Sequence, residues 1–293
     1  MVATCMGTAR LTSQSEGIPW RGPGPGAPNN LPVPPAPMPI VRGGRPLKRW
    51  TYVGVYDEAL MLCAGAVRIG PLRQCFWAVW DPAAGRLHER TRLVRTGVVT
   101  VDRFRARVRD GAVVVDLALD PAPPVEVISP HGREYVWTRK LGGVRAHGRV
   151  VLDGRERRID ARALVDESAG YHARETAWEW SAGVGTARDG RPLAWNLVDG
   201  IHDARHNSER SVWIDGTPHE VGPVRFAPDL AAIEGPSGER LRFQQQAERR
   251  RGDNLLVLRS AYRQPFGRFT GILPDGFEVA EGFGVMERHV ARW

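Results

Sequence analysis

The sequence predicts an all-β protein built as a sandwich or barrel, and three observations carry that reading. Apolar residues alternate with polar ones at the period of a half-buried strand, as where Phe104, Ala106 and Val108 interleave with Arg105, Arg107 and Arg109. Asp-Gly pairs beginning at Asp110, Asp153, Asp189 and Asp215 punctuate the pattern, and both positions of such a pair tolerate the positive φ of a tight hairpin turn. The chain holds 33 glycines and 23 prolines, a high share that still falls below the roughly 25–30% of a disordered chain. Many short strands joined by tight turns account for it.

Residues 1–46 read as a Pro/Gly-rich N-terminal tail, because proline lacks an amide donor and GPGPGAPNNLPVPPAPMP sustains neither helix nor ladder. The tail is expected either to be a flexible extension or to lie along the body with Trp20 or Ile40 as anchors. A first β domain is expected over 47–166. Trp50 to Tyr56, Leu60 to Ile69 and Gln74 to Trp80 are its first β-like runs, with Gly70-Pro71 and Asp81-Pro82 as breaks. Leu60 to Val67 reads equally as a turn or two of helix, since short apolar runs do not separate the two. Hairpins turning at Asp110-Gly111 and Asp153-Gly154 follow. A second β domain is expected over 167–293, with turns at Asp189-Gly190, Asp215-Gly216 and Gly235-Pro236-Ser237-Gly238. Leu255 to Tyr262 is a further strand, and a C-terminal strand with Phe283, Val285 and Glu287 on one face closes a sheet. Glu281 and Glu287, flanking Phe283, could share acid–base work, although solvated strand faces explain them as well.

At 293 residues the chain can bury a sizeable core. Its formal net charge of +8 invites a nucleic-acid reading. The basic residues are dispersed, however, and all but Lys48 and Lys140 are arginine. The densest run, Arg249-Arg250-Arg251, reads as a solvated loop before Gly252, and no nucleic-acid motif accompanies it. Cys5, Cys63 and Cys75 form neither a CxxC zinc pair nor an even disulfide set. No cofactor, structural metal or nucleic-acid partner is expected. No apolar run reaches signal-peptide or membrane-span length, so the expected compartment is the cytoplasm.

The densest mixture of aromatic and titratable side chains runs from Tyr171 to Gly216. A turn at Asp189-Gly190 pairs Val184 with Trp195, Ala182 with Leu197 and Trp180 with Asp199. One face then carries Trp178, Trp180, Trp195, Leu197 and Ile201; the other carries Glu179, Ser181, Asn196, Val198 and His202. A slip of one residue exchanges the faces of a strand, so the assignment depends on the turn. The expected ligand-binding residues are Trp178, Glu179, Trp180, Trp195, Asn196, His202, Glu209 and Arg210, competing with a plain tryptophan core. Tyr171, His172 and Glu175 form the catalytic candidate, because a phenol, an imidazole and a carboxylate can exchange protons near neutral pH. In an extended strand His172 points away from the other two, which favours a satisfied buried histidine. His202, Asp203 and His206 would make a metal set on a helix, but Asp199-Gly200 before and Asn207-Ser208 after suggest a loop, where that spacing guarantees nothing. Glu209 beside Arg210 could hold a carboxylate for catalysis or bind an anionic group, but Asn207-Ser208 ahead of them favours a turn cap with a surface ion pair.

The segments YVGVYDEALMLCAGAVRIGPL and WNLVDGIHDARHNSERSVWIDG, within a stretch from about Arg45 to the C-terminus, resemble a bacterial family, the domain of unknown function numbered two thousand eight hundred and four. GYHARETAWEWSAGVGTARDGRPLAWNLVDG resembles the Asp-His and Trp-x-Trp hairpin of the hydroxyneurosporene-synthase/AttH-like group, with Tyr171-His172 where that group often has Asp-His. The second resemblance implies two consecutive lipocalin-like (calycin) β domains; some members act on hydrophobic polyenes or related lipids. The expected function is binding of an apolar small molecule (lipid, polyene or polyketide-like), with isomerisation, hydration or cyclisation by proton transfer if any reaction is catalysed. The alternatives are a metal-dependent enzyme using His202, Asp203 and His206, and a non-catalytic interaction or stress protein.

Overall fold

The computed structural model describes residues 19–22, 31–255 and 258–292. Among the described residues the regular structure is all strand apart from two single 3-10 turns, Thr96–Val98 and Pro274–Gly276. No helix among them is long and apolar enough to cross a membrane. Cys5, most of the GPGPGAPNN stretch and residues 256 and 257 of the strand expected over Leu255 to Tyr262 lie outside the described residues.

Two large antiparallel sheets divide the chain. One has 11 strands, drawn from Trp20 to Gly170, and the other has 9, drawn from Glu175 to Arg292. In the first, Lys48–Tyr56 pairs with Met61–Ile69 on one side and Arg155–Gly170 on the other, and Glu134–Leu152 follows. In the second, the C-terminal strand Glu278–Arg292 runs between Glu175–Ala187 and Leu258–Ile272, tying the last strand to the first. Leu60 to Val67 is strand, not helix: Leu62 and Ala64 enter one core while Met61 and Cys63 enter another, the alternation of an extended chain.

Among the described residues four apolar clusters result, three of them large. Val53, Val55, Leu62, Val108, Leu117 and Val165 pack together on one face of the first sheet. Leu193, Trp195, Leu197, Leu241, Phe269 and Met286 do the same for the second. Between the sheets lies an aromatic layer to which Tyr52, Tyr56 and Trp80 come from one side and Trp180, Trp213 and Phe266 from the other. Strand Lys48–Tyr56 is buried on both faces because it feeds two of these clusters at once.

Several details depart from the sequence reading. Trp20–Gly22 adds a short strand to Val125–His131, while Leu31, Val33 and Met38 pack near Trp137 and Tyr171. Trp20 is therefore an anchor, but Ile40 is 62% exposed and anchors nothing. Phe104 leaves the apolar face of its hairpin and is exposed. Arg249-Arg250-Arg251 is not a loop; it lies in strand Arg240–Leu255, with Arg249 buried.

The Trp-rich hairpin is shifted by one residue. Ala187 N–H donates to Arg191 O (2.8 Å) and Gly190 N–H to Ala187 O (2.9 Å), closing a three-residue loop with Gly190 at φ 87°. The extra loop residue pairs Trp180 with Val198, Ala182 with Asn196 and Gly183 with Trp195. Trp178 and Trp180 thus share a face with Asn196 and Val198, while Trp195 and Leu197 point the other way.

Candidate functional site

The aromatic layer does not fill the space between the sheets; a cavity of about 170 Å³ remains. Its walls follow from register, since residues two apart on a strand share a face. Across the first sheet one row reads Thr138, Ser168, Trp50, Val67 and Gln74. The next reads Lys140, Asp166, Tyr52, Gly65, Phe76 and Thr91. All but Ser168 and Gly65 line the cavity. A Cβ on Gly65 would stand 2.3 Å from the Phe76 ring, so glycine there lets that ring lie across the strand. The opposite wall comes from two rows of the second sheet, Arg251, Tyr262, His289 and Trp178, then Val198, Trp180 and Glu287. Trp50 and Trp178, one from each sheet, are nearly parallel at 6.5 Å, and Tyr52 meets Trp180 edge-on at 5.4 Å.

The two ends of the cavity differ. Val67, Ile69, Gln74, Arg251, Ser260 and His289 are partly exposed and form its mouth. Thr138, Lys140, Asp166, His202 and Glu209 are buried and form its floor. There the Lys140 ammonium sits between Asp166 and Glu209, 3.1 Å from Glu209 Oε1. Burial alone would lower its pKa, but the two carboxylates outweigh burial and raise it. Burial also raises Asp166, against the pull of Lys140. Glu209 Oε2, Thr138 Oγ1 and both ring nitrogens of His202 have no hydrogen-bond partner. His202 adopts φ 52°, a left-handed conformation uncommon outside glycine.

Behind the floor three imidazoles cluster: the ring centroids of His131, His172 and His202 are 5.5, 5.7 and 5.9 Å apart. Burial lowers His131 and His202 to a pKa of about 3 and drives His172 well below its ordinary value, so all three are neutral at pH 7. In the wall, Glu287 accepts hydrogen bonds from Trp178 Nε1 (2.9 Å) and Gln264 Nε2 (3.0 Å). Burial raises its pKa to about 7, the hydrogen bonds offsetting part of the rise. A carboxyl poised there can both give and take a proton. Arg249 is buried beside it, bonded to Glu89 (2.9 Å) and lying over the rings of Phe76 and Tyr262.

Of the residues singled out in the sequence, Trp178, Trp180, His202 and Glu209 line this cavity. Asn196 acts one step back: its Oδ1 accepts from Trp180 Nε1 (2.8 Å) and its Nδ2 donates to Glu209 O (2.9 Å), fixing both. Trp195 belongs to the core of the second sheet, edge-on to Phe269, because of the shifted register. Glu179 pairs with Arg288 away from the cavity. Arg210 is buried and donates to the carbonyls of Asp203 (2.8 Å) and Ala204, clamping the loop that carries Glu209; neither residue forms the expected surface ion pair.

Tyr171, His172 and Glu175 do not converge, because the chain bends between the two sheets at this point. The Tyr171 hydroxyl donates to Pro39 O (2.7 Å), and Glu175 is exposed beside Arg292 (3.3 Å). His172 does not line the cavity; it packs behind two residues that do, with ring centroids 4.8 Å from Trp50 and 5.7 Å from His202. The segment of His202, Asp203 and His206 is loop, not helix: His206 is exposed, and Asp203 accepts the Gly200 N–H (2.8 Å). Among the described residues no group of His, Cys, Asp and Glu is arranged to hold a metal ion. The sequence reading missed Trp50, Tyr52, Lys140, Asp166 and Tyr262 as cavity residues, and it named Glu287 only with Glu281, which lies outside the cavity lining. Lys140 carried a signal: in a chain that otherwise uses arginine, both lysines are 2% exposed.

Comparison with family models matches residues 99–293 to the family described as Domain of unknown function (DUF2804). Comparison with curated proteins found no significant match. Among solved structures, an AttH-like protein from Nitrosomonas europaea aligns over 88% of this chain and 98% of its own, at 14% identity and a TM-score of 0.53. That likeness shows the shared calycin-like fold and nothing further. Kievitone hydratase from Nectria haematococca aligns over 82% of this chain and 88% of its own, at 10% identity and a TM-score of 0.49, below the level at which a shared fold follows.

Proposed function

This chain belongs to the DUF2804 family, and we propose that it binds an apolar small molecule in the chamber between its sheets, with Glu287 as the group able to exchange a proton with that molecule. One observation supports this above the others: a cavity walled by Trp50, Tyr52, Trp178 and Trp180 closes over ionisable groups that burial holds away from their ordinary charge. Its volume of about 170 Å³ is close to that of an engineered apolar cavity, on the order of 150 Å³, that takes up benzene, and the open mouth leaves room for a longer substituent. In the same reading the sheets are two domains that meet between Gly170 and Glu175, and the acid–base role passes from Tyr171 and His172 to Glu287.

Calorimetric titration with butylbenzene tests the binding step. Saturable uptake at one site is expected for the natural chain. V198W should abolish it while melting no lower, because the indole occupies the chamber. Equal uptake by both proteins, or none by either, removes the reading. The proton-transfer step fails if E287Q turns over an identified substrate at the natural rate.

A further inference from the structure

We infer that the ligand enters hydroxyl first, so that the chamber selects neutral alcohols and phenols over ethers, ketones and carboxylic acids of the same skeleton. This rests on the binding reading above. Apart from Glu287, which has partners, and Arg249, which bonds Glu89 but leaves Nη1 bare, the buried part of the walls is aromatic and aliphatic. The floor holds more bare polar atoms, and acceptors among them: Glu209 Oε2, Thr138 Oγ1 and both nitrogens of His202 are buried and unsatisfied, on residues no more than 8% exposed. Buried polar atoms are almost always hydrogen-bonded, so a cluster of four bare ones at one end of a cavity marks where a polar ligand group belongs.

The chemistry of those atoms narrows that group. Glu209, paired with the Lys140 ammonium, presents Oε2 as an acceptor, a neutral imidazole offers one donor and one acceptor, and threonine offers either. The ligand atom must therefore donate as well as accept. A hydroxyl does both, with one donor and two acceptor sites. An ether or ketone leaves Glu209 Oε2 bare. A carboxylate brings another negative charge beside Asp166 and Glu209, whose shared cation Lys140 is already engaged by both. The floor is also set before the ligand arrives. Arg210 ties down the backbone at Asp203 and Ala204, Asn196 holds the Glu209 carbonyl, and His202 is kept in its left-handed conformation within that same loop.

Calorimetry with 4-butylphenol, 4-butylanisole and 4-butylbenzoate at pH 7 tests the inference, since the three share one apolar skeleton. The phenol should bind at least about tenfold tighter than either of the others. E209Q, whose amide can donate, should bring the anisole to within about threefold of the phenol. T138V, which keeps the shape and leaves the Lys140 cluster untouched, should weaken the phenol several-fold and the anisole not at all; it serves if E209Q does not fold. Equal affinities for all three compounds overturn the inference while leaving the binding reading intact, and mean that water satisfies the floor. Tightest binding of the benzoate overturns it in favour of an anion site at Arg249. No saturable binding of any compound removes the binding reading and this inference with it.

Discussion

The core cluster of the first sheet and the layer between the sheets are both largely buried, yet they are built on different rules. Val108, Val115, Leu117, Ala146, Val150 and Val165 pack in an aliphatic cluster, with each strand's alternate residues interlocking. Between the sheets, Tyr52, Trp180, His202, Glu209 and Glu287 share a comparably dry region that holds a cavity and bare polar atoms. Burial without unsatisfied groups is what stability requires. Burial with them, around a void, costs stability and is explained by a ligand. The contrast teaches that the site is found where polar residues are buried against the usual rule.

Acid should break the two regions apart most strongly. His131, His172 and His202 ionise near 6.5 in the unfolded chain, whereas the folded pKa is about 3 for His131 and His202 and well below the ordinary value for His172. Their contribution is present above pH 6.5 and lost as pH falls below it. Glu287 runs the other way: its folded pKa of about 7 lies above the ordinary 4.5, so its contribution is lost as pH rises through 7 and regained on acidification. Three protons taken up on unfolding against one released leave about two, or roughly 3 kcal/mol lost per pH unit between 6 and 5. Urea midpoints that do not move over that range would contradict the placement of the histidines.

Next in size, L117A should cost about 2–5 kcal/mol of unfolding free energy by leaving a void in the aliphatic core, while affinity for 4-butylphenol stays unchanged. A parallel loss of affinity would mean that the two regions are coupled. E287Q should do the reverse of a core mutation. Above pH 7 it should stabilise the protein by up to about 3 kcal/mol, since the penalty of charging a buried carboxyl disappears, and the gain should vanish by about pH 4.5, the ordinary glutamate value. Smallest is N196A, which frees Trp180 and the Glu209 loop. About a tenfold loss in affinity for 4-butylphenol is expected, equivalent to about 1.4 kcal/mol.

Much of the fold could be read from local chemistry. The turns at Asp153 and Asp215, both at φ 50°, fall where the sequence places them, because an Asp-Gly pair and a period-2 pattern are local signals. Asp189-Gly190 misled by one residue, since the same pair also fits a three-residue loop, and that slip sent Trp195 to the wrong face. The site was less legible. Trp178, His202 and Glu209 stood out in one dense segment, but their opposite wall, with Trp50, Lys140 and Asp166, comes from strands up to about 150 positions away in the chain. Which polar residues become buried depends on how the two sheets meet, and no spacing within a single strand encodes that.

The most direct test of a ligand chamber between the sheets is the structure of crystals soaked in 4-bromophenol, read by anomalous scattering from bromine. The bromine should lie towards the mouth near Ile69 and Arg251, with the phenol oxygen at hydrogen-bond distance from Glu209 and Thr138. Bromine outside the gap between the sheets, or a chamber holding only water at saturating concentrations of the phenol, would contradict the account.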